Sequence, residues 1–168
     1  MNEVVKQVEV SDGIVVGHDG SRHAERALRW AADWAARTGC RLHVVRTWLL
    51  SSAPRPESWR TTYVPPMTDF ERAVRDALEE DVRAAGLPAD VPVACHVVHG
   101  TPARRLVEVS AGAELLVVSS RGRGGFAGLV VGSTTDQVVR HAHCPVVVIR
   151  ARALDDEPAD AGRIAVRG

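Results

Sequence analysis

The segment SSRGRGGFAGLVVGS, residues 119 to 133, holds five glycines, two arginines and three serines around a short apolar patch. Glycine at that density costs folding entropy, so it points to backbone that turns with positive φ or approaches a ligand closely. A Walker-type phosphate loop requires Gly-Lys-Ser/Thr, and the nearest match, Gly132-Ser133, lacks the lysine. The dinucleotide pattern G-x-G-x-x-A is met by Gly122, Gly124 and Ala127. That pattern needs an acidic residue roughly 20 positions on, and Asp136 stands only 14 beyond Gly122. The run RGRGG resembles fragments of disordered RNA-binding tracts, but one copy in a chain of zero net charge argues against nucleic acid. A different arrangement fits better: Gly122 ends a loop, and after nine intervening residues Gly132-Ser133 opens a helix. A helix start offers unpaired N–H groups and the positive end of the dipole, and amides near Gly122 can close the other side as a nest. Ser133 adds a hydroxyl, and Arg121 and Arg123 add mobile positive charge. The competing explanation is that these glycines only permit turns, and spacing alone leaves both open.

Elements that would position such a cradle are legible along the chain. GIVVGHDGS (13–21) is a β-branched run stopped by glycine and aspartate, hence a buried strand. Ala24, Ala27, Leu28, Ala31, Trp34 and Ala35 then share one helical face, capped by Ser21 and ended by Gly39. RLHVVRTW (41–48) is a second strand. Residues 49–66 contain four prolines and form a long loop, in which Trp59 and Tyr63 fill a groove on the parent domain or cover a ligand. Thr68 and Glu71 read as a capping box for a helix reaching Gly86, with Phe70, Val74, Ala77, Leu78 and Val82 inward. Strands follow over 91–100, 114–120 and 144–150, separated by a helix opened by Thr101-Pro102 and another from Ser133 to about His141. The order is strand and helix in alternation. It predicts a single α/β doubly wound, Rossmann-like domain: a five-stranded parallel sheet with helices on both faces. Ligands in such sheets sit where strand order reverses, beyond the carboxyl ends. If strand one lies beside strand four, GHDGS and SSRGRGG face one crevice. Asp19 then has a ligand role open to it, although aspartate before glycine also simply makes turns.

Composition sets the class. The chain has 168 residues, 45% hydrophobic and 25% charged, with zero formal net charge, so no global field favours nucleic acid or an anionic membrane. The first dozen residues lack the apolar core of a signal peptide, and no apolar run approaches a membrane span. Cys40, Cys95 and Cys144 are odd in number and widely spaced, arguing for small buried hydrophobes rather than a disulfide framework or zinc site. A cytoplasmic location is expected. The seven histidines show no recognised zinc spacing, and His141 suits the C-terminus of the last helix. No nucleophile beside a base and no paired carboxylates mark a catalytic set. Expected limits are an extension over 1–11, the domain over 12–150, and a tail over 151–168 without a packing stripe.

Three stretches, GIVVGHDGSRHAERALRWAADWA, RLHVVRTW and the run from GTPARRLVEV to CPVVVIR, resemble a bacterial universal stress protein domain of the UspA-like, ATP-binding-motif type, over about residues 12 to 150. The resemblance implies the same five-stranded parallel fold. It also implies ATP, with Mg2+, as ligand. The family motif Gly-x2-Gly-x9-Gly-Ser/Thr falls on Ser119, Gly122, Gly132 and Ser133, with serine where the first glycine is expected. A serine there keeps the turn if φ is negative, while its side chain would crowd a phosphate. By the same resemblance Asp19 meets the adenosine end, Val44 gives backbone contacts to adenine, and Gly17 and His18 line the pocket. Val118, Ser120, Arg121 and Thr134, beside the motif, complete the candidate set. The implied function is a nucleotide-binding, stress-response regulator that acts through a partner or dimer surface. The dimer would be a homodimer through the strand at Val146–Ile149; the protein partner is not identified. Two alternatives are an interaction module with a decayed site and a slow ATP hydrolase.

Overall fold

In the computed structural model, which describes residues 3–123 and 131–150, strands and helices alternate as the apolar runs predict. The elements are β1 (Ile14–Gly17), α1 (Arg22–Thr38), β2 (Leu42–Trp48), α2 (Met67–Ala84), β3 (Val93–His99), α3 (Pro102–Ser110), β4 (Leu115–Ser119), α4 (Ser133–His141) and β5 (Val146–Ile149). All strand pairs are parallel, in the order β3-β2-β1-β4-β5. The chain runs outward from β1 to β3 and returns to place β4 beside β1, with Val16 opposite Val117. The reversal of strand order therefore lies between β1 and β4, the pairing on which the crevice depends.

Two apolar layers hold the sheet. Ile14, Val16, Leu42, Val44 and Trp48 meet Leu28 of α1 and Phe70, Val74 and Leu78 of α2 on one face. Val15, Val45, Leu116 and Val118 meet Leu106 and Val109 of α3 and Val138 of α4 on the other. The alternation follows from the period of a strand. Ser21 caps α1 by accepting the Ala24 amide at 3.1 Å, and Gly39 ends it at φ +70°. The buried stripe of α1 contains Ala32 and not Trp34, which is 43% exposed and stacks on Trp30 with 5.6 Å between ring centroids. Small alanines let α1 lie close to the sheet, and an indole at the margin of that stripe turns outward.

Other expectations need correction. Pro66, not Thr68, occupies the N-cap of α2, and no side chain caps it. The Glu71 carboxylate instead accepts the Val5 amide at 2.9 Å, tying the leading segment to α2. Trp59 packs edge-on to Phe70 while Tyr63 is exposed, so only the tryptophan fills a groove. The three cysteines are free and half-buried rather than buried. Residues 3–11 form no regular element, yet Val4 and Val10 are buried, one in each core, and the Val5 carbonyl accepts the His99 amide at 2.7 Å. The tail over 151–168 lies outside the described residues.

The leading segment presses on Gly112, where a Cβ would lie 1.5 Å from the Val10 carbonyl oxygen. Gly112→Ala must therefore push Val10 out of the second core, costing about 1–3 kcal/mol. Denaturant unfolding should show a lower midpoint, and an unchanged midpoint would mean the segment does not dock.

Candidate functional site

The crevice is made by two strand exits. After Gly17 the His18 amide still donates to the Val45 carbonyl at 2.9 Å, and the chain then turns through Asp19 and Gly20, at φ +83°, into α1. Asp19 Oδ1 accepts the Ser21 amide at 2.9 Å, the self-bonding that makes aspartate a turn residue. Its Oδ2 accepts the Arg123 amide at 2.9 Å, from the other exit. The two glycine-containing exits are thus in direct contact.

On the β4 side, the Ser119 hydroxyl donates to the Arg121 carbonyl at 2.7 Å, and the Thr135 hydroxyl donates to the Ser119 carbonyl at 2.8 Å. Ser120 is buried; its amide donates to Ile149 and its carbonyl accepts the Gly132 amide at 2.7 Å. The start of α4 is therefore fastened to the end of β4. Among the described residues no residue other than glycine has positive φ, so Ser119 keeps its turn without strain and spends its hydroxyl within its own loop. Gly124 and Ala127, of the rejected dinucleotide pattern, lie outside the described residues.

Gly132 is the N-cap of α4, at φ −70° and ψ 158°, and no side chain caps that helix. The first-turn amides of a helix lack intrahelical partners, so those of exposed Ser133 and half-buried Thr134 remain for an anion. The Gly132 amide is not among them, being bonded to Ser120. Its extended backbone also requires no glycine. Gly122 is different: a Cβ there would stand 2.6 Å from Asp19 Oδ2.

Behind the β1 exit lies a group that sequence reasoning missed. Arg46 is 8% exposed; its Nε donates to the His18 carbonyl at 3.2 Å, and its Nη2 contacts His18 Nδ1 at 2.5 Å and Asp81 Oδ2 at 2.6 Å. The sequence signal was an arginine inside a mostly apolar strand. With Arg46 and the Gly20 amide donating to Nδ1, the His18 ring proton belongs on Nε2, which is buried without a partner. Burial first, then the Arg46 charge, push the His18 pKa down to about 4. Nearby Asp81, Asp19 and Glu25 oppose that shift.

A histidine depressed in the folded state stays neutral while its unfolded counterpart, near 6.5, takes a proton. Its contribution to stability is intact above that value and is lost as pH falls from about 6.5 to about 4, by about 3 kcal/mol in all. His18→Gln should flatten the fall in stability across that window, measured by denaturant midpoints at several pH values. An identical slope would mean His18 is solvated.

Val44 and Thr47 stand differently in β2. Val44 is fully buried, pairs with Cys95 on one side and Val16 on the other, and lies in the middle of the strand. The ladder alternates: Leu42 and Trp48 bond toward β3, while Val45 bonds toward β1 through the His18 amide. Val44 therefore spends its backbone on β3, and Thr47 points its N–H and C=O toward β1 just where β1 has turned away. The His18 carbonyl that faces Thr47 across that gap is held by Arg46 Nε at 3.2 Å. A donor beside an acceptor matches an adenine edge. Val118 is also buried, its side chain in the second core, and Gly17 packs under Leu106.

The site thus gathers Asp19, Ser119 to Gly122, Gly132, Ser133 and Thr134 around one crevice, with His18 beneath, and leaves Val44 and the Val118 side chain in the interior. A separate groove of about 510 Å³ between α3 and α4, lined by Pro102, Arg104, Val107 and Gln137 among others, shares Ser133 and Thr134 with it. Among the described residues no helix is long and apolar enough to cross a membrane.

Known proteins share this fold. The universal stress protein family model matches residues 12–150. Universal stress protein Rv2005c of Mycobacterium tuberculosis is 40% identical over 141 residues, 82% of this chain and 45% of that protein. The chain spans about half the length of the curated relatives it matches. A solved universal stress protein in complex with cAMP is 26% identical with a TM-score of 0.55, covering 84% of this chain and 98% of the other. UspA from Lactobacillus plantarum shares the fold at a TM-score of 0.63, with 22% identity, covering 86% of this chain and 100% of the other.

Proposed function

The chain belongs to the universal stress protein family, and from that premise we propose that it binds an adenine nucleotide, ATP in the cell, in the crevice between the β1 and β4 exits. One observation carries the reading: the start of α4, uncapped by any side chain, is tied to the end of β4, whose continuation at Arg123 bonds Asp19 of the β1 exit. The relative solved with cAMP, an adenine nucleotide, supports the ligand class. Phosphate oxygens accept from the Ser133 and Thr134 amides, with Arg121 and the Ser133 hydroxyl beside them. The ribose hydroxyls donate to Asp19, and the base pairs with Thr47 in place of Val44. Neutral His18 and Arg46 hold the turn beneath. Among the described residues no three His, Cys, Asp or Glu side chains converge on a metal position. Magnesium accompanying ATP would be carried by the phosphates and would offset their charge.

His18 is buried and Asp19 is engaged by two amides, so neither stands ready to activate a water, and the reading is one of binding rather than turnover. The output is regulatory: occupancy alters a surface offered to a partner or to a second copy in the cytoplasm. β5 ends the sheet, and its outer edge suits a homodimer. Light scattering that returns only monomer would remove that part. The nucleotide itself is tested by mass spectrometry of what denatured protein releases. Stoichiometric ATP or AMP is expected. A crevice that is empty and stays empty in millimolar ATP would favour an interaction module with a decayed site.

A further inference from the structure

The two exits do more than touch; each admits a side chain of the other over a glycine. Asp19 crosses to accept the Arg123 amide at 2.9 Å, and its Oδ2 lies so near Gly122 that a Cβ there would be 2.6 Å away. In return the Arg123 guanidinium lies over Gly20, where a Cβ would be 2.8 Å from Nη2. Asp19 Oδ1 is already held by the Ser21 amide. Both oxygens of the carboxylate assigned to the ribose are therefore engaged inside the protein, and Gly122 packs against the one that faces the other exit.

Resting on the nucleotide reading above, we propose that the Asp19–Arg123 contact is a self-inhibiting catch: the ribose and the Arg123 amide compete for Asp19 Oδ2, so nucleotide binding parts the β4 exit from the β1 exit. A ribose hydroxyl donating to Oδ2 replaces one donor by another, so the exchange itself is nearly balanced. The net affinity is lowered by whatever holds the catch shut, as for any protein whose competent state is a fraction of the population. The β4 exit is the segment whose Ser120 carbonyl fastens Gly132. Release at Arg123 is thereby felt within three residues of the bond that sets the start of α4. Occupancy at the adenosine end becomes a change in the position of the phosphate end.

The test uses AMP as probe, hydrogen exchange at the Arg123 amide, and two variants. Arg123→Ala removes the guanidinium over Gly20, and Arg123→Pro removes the competing N–H. The Arg123 amide should be protected without ligand and lose protection with saturating AMP. Both variants should bind AMP more tightly than native protein, Arg123→Pro by on the order of tenfold. Binding by the variants when native protein binds undetectably would support the catch more strongly still. Weaker binding by the variants would make Arg123 a ligand contact, and native binding with unchanged affinities would leave Asp19 Oδ2 out of the exchange; either overturns the catch alone. No binding by any of the three proteins overturns the nucleotide reading, and the competition falls with it.

Discussion

Gly132→Val should lower adenine-nucleotide affinity about a hundredfold while leaving the fold intact. Gly132 sits at φ −70° and ψ 158°, a region where valine is at ease, and a Cβ there would meet only the Ser120 carbonyl oxygen at an ordinary 3.5 Å. Backbone strain, the reason glycine first suggests itself here, therefore contributes nothing. What valine does is stand two methyl groups beside the Ser133 and Thr134 amides, where the phosphate would lie. Hydrogen bonds to a charged group contribute about 1.5–3 kcal/mol each, so weakening two by steric exclusion removes about 3 kcal/mol, or roughly two decades of Kd. Ser119→Gly is the matched control. Its hydroxyl bonds within its own loop, so affinity should stay within several-fold of native. Titration calorimetry on the three proteins decides; a Gly132→Val protein that binds like native would move the cradle elsewhere.

The largest effect on stability is expected at Arg46. Arg46→Leu keeps an apolar body on the face of β2 that Val44 and Trp48 share but removes the donors held by the His18 carbonyl and Nδ1. Asp81 is 42% exposed and can turn to water, which limits the cost to about 2–3 kcal/mol. Arg46→Lys should recover only part, because one ammonium cannot bridge His18 and Asp81 as a planar fork does. Losing the Arg46 charge also removes a cause of the low His18 pKa, so that titration should move upward. Denaturant unfolding at pH 7 with the His18 ring followed by NMR reads both. An Arg46→Leu protein as stable as native would show that the bridge holds nothing.

Much of this was open to a reader of the sequence. Five β-branched runs marked the strands, three of them ending in glycine or serine, because a strand buried on both faces is largely apolar. Asp19, Gly122 and Gly132-Ser133 were recoverable because turn residues and helix starts betray themselves locally. Thr47 was not. Its claim on the crevice comes from the side of β2 on which its backbone points, which depends on where β1 stops. Arg46 could be noticed as a charge in an apolar run, but its partner Asp81 is 35 residues away on another element. Trp34 and Thr68 failed for a related reason: the helical period of one and the Thr-x-x-Glu spacing of the other were read as they stand, and the neighbours that decide which margin is buried or which residue caps lay in other segments.

The account stands or falls on where an adenine nucleotide touches the protein. Backbone amide NMR of the labelled chain, titrated with ATP and magnesium, reads that directly. Shifts should concentrate at Thr47, Gly20, Arg123, Ser133 and Thr134, on both sides of the β1–β4 crevice. Shifts confined to Arg104, Val107 and Gln137 in the groove between α3 and α4, or none at millimolar ATP, would contradict it.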